Sequence, residues 1–177
     1  MNKKMYMVII NLFAGIFSLY SQQNDSYEIE IVIENNIKTI TINGYNGKES
    51  NIRIPEEIDS IPVTKISNGA FANNKLTSVI IPDTITYIGH IAFESNLLQE
   101  VVLSNTVTAI NQLAFANNQI KNIIIPKGIT FIMDGAFEDN QINEIIIPNS
   151  VTEIGNGAFA NNPLEKITIG ENVELYE

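Results

Sequence analysis

The sequence predicts a mainly β repeat solenoid: a short coil wound about five times at 22 residues per turn, with parallel strands on one face and a β cap at the N-terminal end. Three observations carry that prediction. Phenylalanine stands at 71, 93, 115, 137 and 159, each 22 residues after the last. Alanine precedes every one of them, and asparagine follows three positions later at Asn74, Asn96, Asn118, Asn140 and Asn162. The heptapeptide Asn-Gly-Ala-Phe-Ala-Asn-Asn occurs twice, at 68–74 and 156–162, a separation of 88 residues or four periods.

The first twenty residues are of another kind. Met1 to Lys4 carries two positive side chains, Met5 to Tyr20 is a mostly apolar run of 16 residues, and Ser21 to Asp25 is polar. A basic start, a short apolar core and a polar exit describe a secretory signal peptide over 1–21. Sixteen residues are short for a bilayer span, which takes about 20. An uncleaved anchor and a buried strand or helix are the competing readings. No small-residue cleavage site marks the exit, and no cysteine is present for lipid attachment. Loss of Lys3 and Lys4 would take the net charge from −10 to −12. The expectation is an exported protein, secreted or held at the cell surface, with no membrane span in its mature form.

Residues 22–50 precede the regular repeats. Tyr27–Ile33 and Ile37–Ile42 each alternate apolar and polar side chains around Glu34-Asn35-Asn36, which reads as a β-hairpin. A solenoid needs a terminal cap to keep its open core from water, and this segment is placed to be one.

The coil is expected to occupy 51–177. A segment L-x-x-I-x-I recurs as Leu76/Val79/Ile81, Leu98/Val101/Leu103, Ile120/Ile123/Ile125, Ile142/Ile145/Ile147 and Leu164/Ile167/Ile169. Pro82, Pro126 and Pro148 end three of these, while Ser104 and Gly170 stand in the other two. Proline lacks the N–H that would extend a ladder, so it stops the strand and opens a turn. A second short extended element follows, V/I-T-x-I, as in Ile85-Thr86-Tyr87-Ile88 and Val107-Thr108-Ala109-Ile110. A tight turn, with Gly89 and Gly155 in two copies, then leads to the Ala-Phe pair. No single repeat buries enough apolar surface to offset the entropy of ordering it, so stability must come from stacking. The phenylalanines should form one internal column. The asparagines should tolerate left-handed turns, cap backbone groups that the tight coil leaves unpaired, and bond one another along the stack; a row of metal or glycan ligands is the alternative, and neutral amides argue poorly for it. The last repeat stops at Glu177 before its Ala-Phe pair, with Tyr176 falling where Ile154 falls one repeat earlier. An uncovered last coil exposes apolar surface and unpaired strand groups, which makes end-to-end self-association an expected possibility.

The unit L-x-x-I-x-I-P-x-x-V-T-x-I-G-x-x-A-F-x-x-N, as it stands from Ile142 to Asn162, resembles the BspA-like leucine-rich repeat family of bacterial surface proteins. The resemblance covers roughly residues 51 to 177. It implies a right-handed leucine-rich repeat coil, and a surface-exposed or secreted protein that adheres to host extracellular matrix or to other cells. Many members carry cysteine near the position of Asn74, where this chain has none. The first copy matches the longer opening repeat of the family: Glu56 to Ser60 supplies five extra residues between Pro55 and Phe71.

Composition narrows function. The chain has 20 Asp and Glu against 10 Lys and Arg, with no basic cluster, so a phosphate backbone is a poor partner and nucleic acid is not expected. Zero cysteines exclude a disulfide framework, a thiolate metal site and a cysteine nucleophile. The one histidine, His90, sits at a variable turn position, and no Ser-His-Asp set, H-E-x-x-H motif or P-loop is present. Glu138-Asp139, the nearest approach to a calcium cluster, reads as a solvated turn. The chain is expected not to be an enzyme and to need no cofactor or metal.

A protein-binding surface is the better expectation. In each strand the residue between two inward positions must point outward, giving Ile80, Val102, Ile124, Ile146 and Thr168. Beside them, two residues earlier on the same face, run Ser78, Glu100, Asn122, Glu144 and Lys166. At about 4.8 Å between strands the aliphatic file would extend roughly 20 Å. A contiguous apolar strip marks an interaction site; the plainer account is that β-branched residues favour strands. The rival function is architectural, a spacer or a fragment of a longer surface protein. Glycan capture ranks last, since only Tyr87 and Phe131 share a repeat position and tryptophan is absent.

Overall fold

Alternation in the N-terminal segment produces the first layer. The computed structural model describes residues 26–173 in full, and the backbone alone at Met5–Tyr6, Phe17–Gln23 and Glu174–Leu175. β3 (Tyr27–Glu34) and β4 (Ile37–Tyr45) pair antiparallel around Asn35 and Asn36, whose φ values of 51° and 65° make the tight turn that suits a two-residue hairpin. β1 (Met5–Tyr6) and β2 (Phe17–Gln23) are extended, and β2 pairs antiparallel with β3. The leader expected at 1–21 otherwise falls outside the described residues.

β4 then pairs in parallel with the first coil, Ile40 opposite Val63 and Ile42 opposite Ile66, and so joins the cap to the solenoid. The first coil holds β5 (Asn51–Arg53), β6 (Glu57–Ile58) and β7 (Ile61–Ile66). The five extra residues form a small antiparallel hairpin between β6 and β7, turning at Asp59 and Ser60 with φ of 51° and 62°. β5 was not among the strands expected from the repeat pattern, and it makes the coil six turns instead of five.

From there each coil contributes one strand to each of two faces. On the first face lie β5, β8 (Ser78–Ile80) and β10 (Glu100–Val102), and farther along β13 (Glu144–Ile147) and β15 (Lys166–Ile169), all parallel and paired at intervals of one repeat after β8. On the second lie β7, β9 (Tyr87–Ile88), β11 (Ala109–Ile110), β12 (Phe131–Ile132), β14 (Glu153–Ile154) and β16 (Glu174–Leu175). There is no helix among the described residues. The last pairing slips: Ile154 sits opposite Leu175, one residue before the Tyr176 that a strict 22-residue spacing would place there, and Tyr176 lies outside the described residues.

Inside, the phenylalanines form a single file. Rings of Phe71, Phe93, Phe115, Phe137 and Phe159 stack at centroid separations of 5.0, 5.2, 5.6 and 5.5 Å, tilted by at most 13°. Tyr45 continues the file at the cap, 5.5 Å from Phe71, and Tyr27 meets Phe71 edge-on. Each such pair adds about 0.5–1.5 kcal/mol beyond the area it buries. The alanine before each phenylalanine admits the neighbouring backbone: Phe71 N–H donates to Ala92 O at 2.8 Å, and Phe93, Phe115 and Phe137 donate likewise to the alanines of the next coil.

The asparagine column caps backbone groups, as expected. Its amides bond backbone and not each other. Asn118 Nδ2 donates to Phe93 O of the preceding coil and to Phe115 O and Ala116 O of its own, at 3.0–3.1 Å, while its Oδ1 accepts from Leu98 N–H at 3.0 Å. Asn96, Asn140 and Asn162 repeat the pattern. The left-handed residue is the one just before the column: Asn73, Ser95, Asn117, Asp139 and Asn161, with φ between 53° and 59°. Gly89 and Gly155 are not left-handed either. A Cβ at Gly89 would lie 2.5 Å from Asn68 N, so glycine there permits the close approach of two turns.

Phe115→Ala should cost about 3–5 kcal/mol, and Asn118→Leu about 3 kcal/mol because buried carbonyls lose their donors. Urea unfolding of the two variants measures both; an Asn118→Leu midpoint equal to wild type would refute the bridging role. Burial first, then Tyr45 and Glu49, push the Tyr27 hydroxyl from 10.0 up to about 12. A raised folded value means that the contribution is full below pH 10 and disappears as pH rises toward 12. Urea midpoints should therefore fall across that window, less steeply in Tyr27→Phe.

Candidate functional site

The first face carries the expected outward residues. Pairing places Glu100 opposite Ser78 and Val102 opposite Ile80, and then Glu144 opposite Lys166 and Ile146 opposite Thr168. Inward neighbours Val79, Ile81, Ile145 and Ile147 are buried, so the alternating residues have nowhere to go but solvent. Ile80 is 38% exposed, Val102 55%, Ile124 85% and Ile146 62%. β5 extends both files by one row that the pattern count missed: Asn51 lies opposite Ser78 and Arg53 opposite Ile80. The signal was present in Ile52-Arg53-Ile54-Pro55, which repeats the I-x-I-P ending of later coils.

The ladder is not continuous, and this corrects the expectation of one unbroken row of strands. β10-β8-β5 form a three-stranded sheet and β13-β15 a two-stranded one, with Ile120–Pro126 between them unpaired. From Lys121 to Ile125 no backbone N–H or C=O hydrogen-bonds to another backbone group among the described residues, although Gln119 N–H still donates to Leu98 O and Gln141 N–H to Ile120 O just before. Ile123 and Ile125 keep their inward burial. Ile124 therefore stands between two grooves. One, of about 520 Å³, runs along Gln99–Leu103 with Asn122, Ile124 and Pro126 on its far wall. The other, of about 430 Å³, lies between Asn122–Ile125 and the Glu144–Pro148 row.

The third coil, which forms one wall of the break, also departs from its neighbours on the second face. Elsewhere the threonine N–H of one coil donates to the threonine carbonyl of the coil before, as Thr130 to Thr108 at 2.8 Å. Between Thr108 and Thr86 that bond is absent. Ser104, which replaces proline, and Thr106 instead donate their hydroxyls to Ile85 O at 2.8 and 2.7 Å. Asn111 Nδ2 takes Ile88 O, the acceptor that a backbone N–H takes in other coils. Side-chain donors have replaced ladder bonds at this seam.

Charges on the face are sparse. Glu144 and Lys166 form an ion pair, Arg53 pairs with Glu56 at 3.0 Å, and Ser78 Oγ donates to Asn51 Oδ1 at 3.1 Å. Glu100 is exposed and carries no ion pair among the described residues. Tyr87 and Phe131 are exposed on the second face, in the same repeat position, with Ala109 between them in the coil order. His90 is exposed at its turn, where its backbone N–H donates to Asn68 Oδ1 at 2.9 Å. Among the described residues no three His, Asp or Glu side chains gather as a metal site would require, and no helix is long and apolar enough to cross a membrane.

Solved structures share this architecture. A leucine-rich repeat protein of Bacteroides ovatus is 26% identical with a TM-score of 0.75, over 86% of this chain and 42% of that one. The Treponema pallidum leucine-rich repeat protein is 24% identical with a TM-score of 0.67, over 83% and 70% respectively, which speaks to fold alone. One from Bacteroides capillosus is 26% identical with a TM-score of 0.51, covering 83% of this chain and 94% of that one. The chain thus spans less than half the length of the Bacteroides ovatus protein. No curated protein is similar enough to match it. Six copies of the BspA-type leucine-rich repeat region match residues 64–177, well over half of the chain. The protein belongs to the BspA-type leucine-rich repeat family.

Proposed function

We propose that this chain is an exported protein-interaction module, secreted or displayed on the cell surface, that adheres to a protein of host extracellular matrix or of another cell through its first face. The observation that carries the reading is the aliphatic file Ile80, Val102, Ile124 and Ile146, solvent-exposed on a stack of coils and flanked by grooves. Apolar surface of that kind is costly to leave in water and is buried when a partner docks. Ser78, Glu100, Asn122, Glu144, Lys166 and Thr168 supply the polar border that fixes orientation. Membership of a leucine-rich repeat family supports protein binding in place of catalysis.

The Val102→Ser, Ile124→Ser double variant changes only outward side chains, so its circular dichroism and urea midpoint should match wild type. Capture of matrix proteins on the immobilised chain should fall at least tenfold. Undiminished capture by a folded double variant would remove the stripe from the account.

Two further readings have an observation each. A spacer role draws on the fraction of the Bacteroides ovatus protein that this chain covers. It would be favoured if no matrix or cell-surface protein were retained. Self-association draws on the last coil, where the inward-type residues Ile167 and Ile169 are 50% and 41% exposed and could cover those of a second copy. Sedimentation equilibrium should then show a dimer that Ile167→Lys disperses, and a monomer at all concentrations would exclude it.

A further inference from the structure

The heptapeptide that occurs at both 68–74 and 156–162 opens each time on Asn-Gly, and the two pairs sit in different surroundings. We propose that Asn156 is a self-modification site: the Gly157 main-chain nitrogen closes on the Asn156 side-chain amide, and water opens the ring to aspartate or isoaspartate. Asn68, in the same heptapeptide, is held back by the coil stacked on it. In this reaction hydroxide takes the Gly157 N–H proton and the nitrogen bonds to Asn156 Cγ. The Cγ–Nδ2 bond breaks, Nδ2 leaves as ammonia, and a succinimide ring remains. Water then adds at either ring carbonyl and breaks its bond to nitrogen, so one amide nitrogen is exchanged for a carboxylate oxygen with no oxidation or reduction.

Asparagine is a thermolabile residue, and a following glycine favours ring closure because it has no Cβ to obstruct the approach. An N–H already donated to a partner must first break that bond. At Asn68 the next coil ties down both reacting groups: Gly69 N–H donates to His90 O at 2.9 Å, and Asn68 Oδ1 accepts from His90 N–H at 2.9 Å. At Asn156 neither tie exists among the described residues, where Gly157 N–H and the Asn156 side-chain amide make no hydrogen bond and both residues are exposed. The bonds Asn156 does make run to the preceding coil, its N–H donating to Asp134 Oδ1 at 2.7 Å and its carbonyl accepting from Gly135 N–H at 3.0 Å. A donor on that carbonyl polarises the peptide and eases loss of the Gly157 proton. Gly69 and Gly157 share φ values of 66° and 63°, so the glycine conformation does not separate the two copies. The other Asn-Gly pairs are restrained. Asn43 Oδ1 accepts the Ser67 hydroxyl, and Gly44 lies in β4 opposite Glu28. Asn46 Nδ2 donates to Glu28 Oε1 at 3.1 Å, and the Tyr45 ring lies against Gly47. Modification at Asn156 adds a negative charge beside Asp134. The iso form also lengthens the main chain between two bonds that fasten this turn to the coil before, Gly135 N–H to Asn156 O and Phe137 N–H to Ala158 O.

The test is to age the whole folded chain in neutral and mildly alkaline buffer, cleave it after glutamate, and follow the peptides carrying Asn68 and Asn156 by mass spectrometry. Asn156 should convert at least tenfold faster than Asn68, and faster still in the alkaline sample. In urea that unfolds the chain the two rates should converge. Gly157→Leu places at this turn a side chain that the stack already accepts at Leu113, and it should slow conversion of Asn156 at least tenfold. Intact Asn156 or equal rates in the folded chain overturns the proposal. A difference that persists in urea does so too, since it would trace to the flanking Ser67 and Gly155 and not to the stack. Unslowed conversion in Gly157→Leu would replace ring closure by direct hydrolysis and overturn it as well.

Discussion

A 22-residue coil with no helix cannot satisfy its own backbone, and the buried asparagine amide is how this chain solves that problem. At the turn after each phenylalanine, carbonyls of two successive coils face inward with no strand partner. One Nδ2 reaches three of them, and the Oδ1 of the same side chain accepts an N–H from the residue that opens its own coil. Buried carbonyls and amides left without partners cost more than an ordinary hydrogen bond returns, so this bridge decides whether stacking is favourable at all. A shorter polar side chain would fall short of the preceding coil, and an apolar one would leave the carbonyls unsatisfied.

The phenylalanine file depends on that bridge and reinforces it. Asparagine sets the coil spacing on its side, and rings 5.0–5.6 Å apart fill the interior at the same spacing. Two left-handed residues per turn make the path possible. The position two residues before each phenylalanine is left-handed in every copy, as Gly69, Ile91, Leu113, Gly135 and Gly157. Ile91 and Leu113 occupy it at φ of 50° and 55°, a conformation that costs an ordinary side chain about 1–2 kcal/mol. The stack imposes the geometry even where the residue resists it, and this is direct evidence that neighbours, more than local preference, hold each coil.

Regularity on the inside frees the outer faces to vary. The third coil shows this most clearly. Ser104, Thr106 and Asn111 redirect hydrogen bonds at one seam, and the adjoining seam lacks its strand pairing on the first face. The ring file and the amide bridges run through both seams without interruption. A solenoid can therefore carry a local opening in its sheet with little consequence for the core, because the coils are fastened at the turn as well as along the strands. The opening lies at Val102 and Ile124, where the apolar file is most exposed along with Ile146.

The sequence alone determined the period, the internal phenylalanine column, the two strand elements per coil and the identity of the outward residues, because each is a one-dimensional consequence of spacing: what recurs every 22 residues must stack, and what alternates along a strand must point to opposite sides. It anticipated that the asparagine amides cap backbone groups but not which groups, and it added amide–amide bonds and a left-handed column that the structure does not have, since a type of residue does not say which backbone group lies within its reach. It missed β5 for want of the full motif around Asn51–Arg53. Only the tertiary structure decided that Lys121–Ile125 stays unpaired, although Ile120-Lys121-Asn122-Ile123-Ile124-Ile125-Pro126 fits the repeat as well as any copy. Strand pairing depends on how two coils sit against each other, which no local pattern records.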